Sequence, residues 1–256
     1  AELPPSVPCL TVNKVCGSGL KAVITGADSI QLGRAQIVVA GGQENMSMVP
    51  YILPNARQGY RMGHGTLVDA MVFDGLWDPY NDFHMGTAAE LCTKEYSITR
   101  ADQDAFAIES YKRAQKAQAN GTFTQEIVGV EIKAREATTN VDQDEEPGKA
   151  RFDKVSSLKP AFDKAWTITA ANASKISDGA SDLVLSAENH VPKNSRPLAR
   201  IVAEGSFAQD PKWFTTAPIE AMKRALNKAH LSVQQIDLWE INEAFSVVTM
   251  MAIKQL

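Results

Sequence analysis

Cysteine is scarce in this 256-residue chain: Cys9, Cys16 and Cys92 form an odd set with no CxxC spacing. That argues against a disulfide framework and against a cysteine-based zinc site, and it fits a reducing compartment. An excess of one charge is lacking too. Lys and Arg number 26 against 30 Asp and Glu, a net charge of -4 in mixed order. No broad basic surface is offered to a nucleic-acid backbone. No apolar stretch approaches the ~18 to 20 residues that cross a bilayer, and the opening AELPPSVP has neither the basic start nor the apolar run of a signal peptide. The expectation is a soluble, cytoplasmic protein, with an organelle address upstream of Ala1 left open. His64, His190 and His230 show no paired metal-ligand spacing, and DQDEE lacks the glycine of an EF-hand loop, so no metal is assigned. A starting methionine is absent, and the chain stops at MMAIKQL inside a helical pattern without a closing glycine or proline. Both ends are expected to be cut.

What is present suffices for one large core or two smaller ones, with 44% apolar residues. Residues Cys9 to Val15 alternate and give way to GSG. Leu20, Val23, Ile24, Ala27 and Ile30 then recur at helical spacing up to Gly33. The run Ala35 to Ala40 is β-branched and ends in Gly41-Gly42, which predicts a buried parallel strand closing a βαβ unit. The fold class is therefore α/β. From Met46 to about Pro160 the sequence turns loop-rich, with one helix beginning near His84 and another opening at Thr99 in a capping box with Asp102 and closing at Asn120-Gly121. In that second helix Ala105, Ile108 and Lys112 share one face, and Glu109 is placed to pair with Arg113. Strand patterns resume at ASDLVLSAE, at Leu198 to Glu204 and at IDLWEI. A helix after Pro218 carries Ile219, Met222, Leu226 and Ala229 on one face, and Asn242 is expected to open the last helix.

Cysteine attacks carbonyls as its thiolate, and the partial positive charge of a helix N-terminus stabilises that form. Cys16 is placed in this way, with Gly17 and Gly19 leaving room for a substrate to approach the backbone and for N–H groups to hold an oxyanion. The residues alone also permit a buried structural cysteine at a tight turn. The string VNKVCGSGLKAV at residues 12 to 23 resembles the thiolase segment that carries the acyl-accepting cysteine. GGQENMS at 41 to 47, HMGTAAE at 84 to 90, NASKISDGAS at 172 to 181 and NEAF at 242 to 245 follow in that family's order. Five motifs in order are far more specific than any one of them.

The resemblance implies a thiolase fold, two similar lobes in a layered αβαβα core. Residues 1–47 and 172–196 would belong to the first lobe, 48–171 to a loop domain covering a coenzyme A site, and 197–256 to the second lobe. It implies that Cys16 attacks an acyl thioester and holds the acyl group. His84 would face the thioester oxygen of the second acyl-CoA, and Asn242 would fix a water beside it, forming an oxyanion hole. Read without the family, His84 is equally a capping or half-exposed histidine and Asn242 an N-cap. Coenzyme A recognition falls on Leu76, Met85, Phe162, Ala170 and Ser174, and Phe245 would close the acyl pocket. Each apolar one among these is also an ordinary core residue type.

The histidine of HMGTAAE resembles the short-chain, biosynthetic kind of thiolase. The implied reaction is condensation of two acetyl-CoA to acetoacetyl-CoA plus CoA, and the reverse thiolysis, with coenzyme A thioesters as substrates and no separate cofactor. The implied assembly is a homodimer or homotetramer. The HPxGxSG-like and CxGGG-like strings that hold the family's general bases do not occur in this sequence, so this chain is expected to be an incomplete enzyme. Two alternatives stand beside this reading. A β-ketoacyl synthase shares the fold and the cysteine, although CGSG and NEAF favour thiolase. A non-catalytic thiolase-like protein that binds acyl-CoA or a partner would lack the same bases.

Overall fold

The computed structural model describes residues 3–133 and 137–256. The chain divides into two compact units, one comprising the chain up to Trp77 with Ile176–Ser206 and Arg224–Leu231, the other comprising Asp78–Lys175, Phe207–Lys223 and Ser232–Leu256.

In the first unit, helix α1 (Ser18–Gln31) ends at Gly33, which takes φ +69°, a conformation glycine adopts without a Cβ penalty. Strand β1 (Ile37–Asn45) then pairs with strand β2 (Asp178–Ser186) over nine residues, from Ile37 opposite Ser186 to Asn45 opposite Asp178. Alternation puts Val38, Ala40 and Leu185 on the face that meets α1, where a Cβ on Gly26 would stand 3.0 Å from Val38 and Leu185. The opposite face exposes Ile37, Val39 and Val184. The end of the ladder is fixed by Asp178, whose carboxylate accepts the Ser47 N–H at 2.9 Å and the Ser47 hydroxyl at 2.6 Å. The Ser47 hydroxyl and amide hold that carboxyl below its usual range. A short ladder joins Tyr51–Ile52 to Val68–Asp69.

The second unit is built on helices α2 (Met85–Glu95), α3 (Arg100–Ala119) and α5 (Ser246–Gln255), with Ile219 and Met222 contributed by α4 (Ala217–Ala229). Ala89, Cys92, Ile168, Ile219, Val247 and Met251 form its core. Thr99 and Asp102 cap α3 reciprocally: the Thr99 hydroxyl accepts the Asp102 N–H, and the Asp102 carboxylate accepts the Thr99 N–H. Gly121 beyond the helix takes φ +66°. Glu109 and Arg113 pair at 2.8 Å. An antiparallel ladder pairs Val130–Lys133 with Thr138–Val141, and a single helical turn lies at Glu146–Lys149.

Several expectations from periodicity are corrected. Strand β1 pairs antiparallel with β2, and no parallel ladder forms among the described residues; the apolar run specifies a strand, but the direction of its partner is set by a segment more than 130 residues away. Cys9–Val15, Leu198–Glu204 and Ile236–Ile241 form no strands, and Leu198, Val202 and Leu238 are exposed; no described strand pairs with these segments. Helix α3 buries Gln103, Asp104 and Ala107 rather than the face of Ala105, Ile108 and Lys112, because its inward side is polar and hydrogen-bonded. Asn242 does not open the last helix. Residue 245 is held extended by pairing with Ala173, and the Ser246 N–H donates to the Asn172 carbonyl at 2.9 Å, so α5 starts at Ser246.

Candidate active site

Cys16 is exposed and sits one residue before the N-cap of α1. The turn that presents it is tightly tied. The Ser18 hydroxyl accepts the Lys14 N–H at 2.8 Å and donates to the Val15 carbonyl at 2.7 Å, while Asn13 Oδ1 accepts the Val15 N–H at 2.9 Å. Gly17 and Ser18 donate their backbone N–H groups back to the carbonyls of Lys14 and Val15. Val15 is thereby held at φ +48°, a region that a β-branched residue rarely enters, and such outliers concentrate at functional sites. No side chain caps α1 and its first turn holds no acid, so the positive end of the helix dipole beside the thiol is not offset from within the helix. Cys9 is also exposed, whereas Cys92 lies in the core, where burial pushes its thiol up. Leu76 is half-buried in the same unit as Cys16, at the end of the π-helical turn Met71–Leu76.

The remaining expected residues lie in the second unit. His84 caps α2: its backbone is extended and its Nδ1 accepts the Gly86 N–H at 2.9 Å. An Nδ1 that accepts a hydrogen bond leaves the ring proton on Nε2, and burial lowers the pKa of the imidazole, so at neutral pH His84 is an uncharged Nε2–H donor. The ring of Phe162 lies against it with centroids 4.8 Å apart. Gly86 makes room for that ring, since a Cβ there would stand 2.0 Å from Phe162. Met85 packs half-buried against the core.

The segment Thr167–Ser174 is organised by Asn172, which is 2% exposed. Its Oδ1 accepts the Thr169 N–H, and its Nδ2 donates to Asp104 Oδ1 and to the Thr167 carbonyl. Ala170 and Ser174 are exposed at the surface of this segment, and the Lys175 ammonium donates to the Ala170 carbonyl. Ser174 donates its N–H to the Ala244 carbonyl at 3.0 Å, and Ala173 pairs with Phe245, so the NASK and NEAF strings run side by side. Asn242 is exposed, and Glu243 accepts the Ser110 hydroxyl at 2.7 Å. Phe245 is buried in the core, edge-on to Phe214 with centroids 6.3 Å apart. Ser174 and Glu243 also line a cavity of about 180 Å³ with Ser110, Tyr111, Asp144 and Lys175. Within this unit the structure thus brings Met85, His84 and Phe162 together at one end of α2, and Ser174 together with the segment of Asn242 and Phe245. Asn13, Val15, Ser18, Gly86, Glu90 and Asn172 complete the geometry and were not singled out by sequence reasoning, although each lies in or beside one of the five motifs. Among the described residues no group of three His, Cys, Asp or Glu is arranged to hold a metal ion.

Comparison with known proteins gives the family. Residues 1–189 match the thiolase N-terminal domain and residues 195–256 the thiolase C-terminal domain, so the chain belongs to the thiolase family and has an α/β fold of that type. An acetyl-CoA acetyltransferase of Schizosaccharomyces pombe is 52% identical over 97% of this chain and 64% of its own length. One from Cupriavidus necator is 51% identical over 96% of this chain and 63% of its own. Acetyl-CoA acetyltransferase 2 of Arabidopsis thaliana is 50% identical over 98% and 63%. The chain thus spans somewhat less than two thirds of the length of these relatives.

Proposed function

We propose that this chain carries the acyl-accepting and coenzyme A-binding part of an acetyl-CoA C-acetyltransferase. The observation that carries the reading is the exposed Cys16 thiol on a strained turn at an uncapped helix start. Family membership and relatives named acetyl-CoA acetyltransferase at about half identity support it.

In this reading the Cys16 thiolate attacks the carbonyl carbon of acetyl-CoA, the bond from that carbon to the coenzyme A sulfur breaks, and coenzyme A leaves as a thiol after taking a proton. The acetyl group stays on Cys16. A second acetyl-CoA loses a proton from its methyl carbon, and the resulting enolate attacks the acetyl carbonyl, releasing acetoacetyl-CoA and the Cys16 thiolate. The neutral Nε2–H of His84 suits the enolate oxygen, because a donor already oriented by Gly86 needs no reorganisation as charge develops. Asn242 would hold a water on the same oxygen. Phe162 and Met85 would line the pantetheine chain, with Ser174 as its hydrogen-bonding partner, Ala170 beside it and Leu76 as a further wall. The base for the methyl proton belongs, by the family resemblance, to strings that do not occur in this sequence. Assembly as a homodimer or homotetramer is part of the same proposal, supported by the apolar face of β1 and β2 that exposes Ile37, Val39 and Val184.

The test is mass spectrometry after incubation with acetyl-CoA, with peptides mapped. Acetylation of Cys16 and not of Cys9, which is also exposed, supports the reading. Equal labelling of the two, or none, rejects it for this chain.

A further inference from the structure

Glu90 lies on α2, six residues after His84 and 6% exposed. Its Oε1 accepts the backbone N–H groups of Thr167 at 2.6 Å and Ile168 at 2.5 Å. Its Oε2 accepts the hydroxyls of Thr167 at 3.0 Å and Thr93 at 3.2 Å. Two backbone N–H groups and the Thr167 hydroxyl thus converge on one buried carboxylate, and the Thr93 hydroxyl is shared between it and the Glu90 carbonyl at 2.9 Å. The two segments leaving this clasp are those expected to meet coenzyme A. On one side the Ile168 carbonyl accepts the Ala161 N–H at 2.8 Å, next to the Phe162 that lies on His84. On the other, the Thr167 carbonyl accepts Asn172 Nδ2 at 3.1 Å, and Asn172 and Ser174 are bonded to Ser246 and Ala244.

We propose that Glu90 is the positioning residue of the coenzyme A end of the site: one buried carboxylate on the helix that His84 caps sets the spacing from that histidine to Phe162 and Ser174. The inference rests on the coenzyme A reading above. The helix between His84 and Glu90 is a rigid rod of about 9 Å at 1.5 Å per residue. A shift of Thr167 and Ile168 against Glu90 is therefore a shift of both ligand walls against the imidazole. Glu90 touches no substrate; it acts through the backbone it holds.

The experiment titrates coenzyme A itself into the 256-residue chain by calorimetry, comparing wild type with Glu90→Gln, Thr167→Val and, as a core control, Ile219→Val. Thermal midpoints and the rate of Cys16 alkylation by iodoacetamide are recorded for each. Glu90→Gln keeps the side-chain size and one acceptor oxygen but removes the charge. The expected result is a loss of roughly tenfold in coenzyme A affinity, the scale of one weakened hydrogen bond to a charged group. Cys16 alkylation stays at the wild-type rate. Thr167→Val, which removes one donor, gives a smaller loss in the same direction and keeps the test open if Glu90→Gln does not fold. Ile219→Val lowers the midpoint without changing affinity. The proposal is overturned if Glu90→Gln, or Thr167→Val where Glu90→Gln does not fold, binds as tightly as wild type, or if its loss matches that of Ile219→Val at equal loss of midpoint. A wild-type chain that binds no coenzyme A overturns the functional reading first and this inference with it.

Discussion

Phe162 lies against the imidazole of His84, ring centroids 4.8 Å apart, in space that exists because residue 86 has no side chain. A methyl at position 86 would stand 2.0 Å from the ring of Phe162 and drive it off the histidine. Gly86→Ala is expected to destabilise the second unit by about 1 to 3 kcal/mol, the range for overpacking a filled site, despite the better helix propensity of alanine. Urea denaturation measures this. In a Phe162→Ala background the same substitution should cost little, and a double-mutant cycle with no coupling between the two positions would refute the contact.

The histidine in that pair titrates with consequence for stability. Burial depresses the His84 pKa below its ordinary value of 6.5. The unfolded chain therefore takes up a proton at higher pH than the folded one, so stability is full above about pH 6.5 and declines as pH falls through the folded value. Replacing His84 by Gln should flatten this part of the stability profile between pH 7 and the acid limb set by carboxylates. Unfolding curves at half-unit pH steps decide it. A His84→Gln profile parallel to wild type would place the imidazole in solvent.

How much of this was readable beforehand differs by kind of interaction. The capping box of Thr99 and Asp102 and the glycine after Asn120 are local, span at most three residues, and stand as the pattern predicts. The motif strings marked Cys16, His84 and Ser174 because thiolases share them. What periodicity misread is long-range. The hydrophobic pattern of α3 favoured Ala105 and Ile108, yet the buried side is Gln103 and Asp104, whose burial is offset by hydrogen bonds to Thr167 and Asn172 over 60 residues away. Likewise β1 was legible as a strand, but its antiparallel partner was not, since nothing in Ile37–Asn45 encodes the direction of a segment at 178. Asn242 illustrates a third case. It has the right chemistry for an N-cap, but the pairing of Phe245 with Ala173 moves the cap three residues on, to Phe245.

Thr99 offers a calibration of the local part. Its hydroxyl accepts the Asp102 N–H at 3.1 Å, and the Asp102 carboxyl is held below its usual range first by the Thr99 side chain and then by its backbone N–H. Thr99→Ala should cost about 1 kcal/mol of stability, as loss of an N-cap does. It should leave acetylation of Cys16 by acetyl-CoA unchanged, which peptide mapping checks alongside the denaturation curve. A loss well above 2 kcal/mol would mean that the cap does more than close one helix end.

Val15 tests whether the strain at the nucleophile turn has a use. At φ +48° the valine bears a backbone cost of order 1 to 3 kcal/mol, and it is 54% exposed, so its side chain recovers only part of that by burial. Glycine adopts this region freely but loses more chain entropy on folding, an offset of roughly 0.5 to 1 kcal/mol. Val15→Gly is therefore expected to leave stability unchanged or raise it by up to about 1 kcal/mol. If the strain serves only the fold, Cys16 should react as before. If the left-handed valine is what holds the thiol at the helix start, the freed turn should lower the acetylation rate of Cys16 while the alkylation rate of Cys9, exposed on the same segment, stays constant. Ser18→Ala removes both hydrogen bonds of the hydroxyl that closes the turn, so it should lower the Cys16 rate in the same sense. Equal Cys16 rates in wild type, Val15→Gly and Ser18→Ala would show that this geometry is incidental to the chemistry.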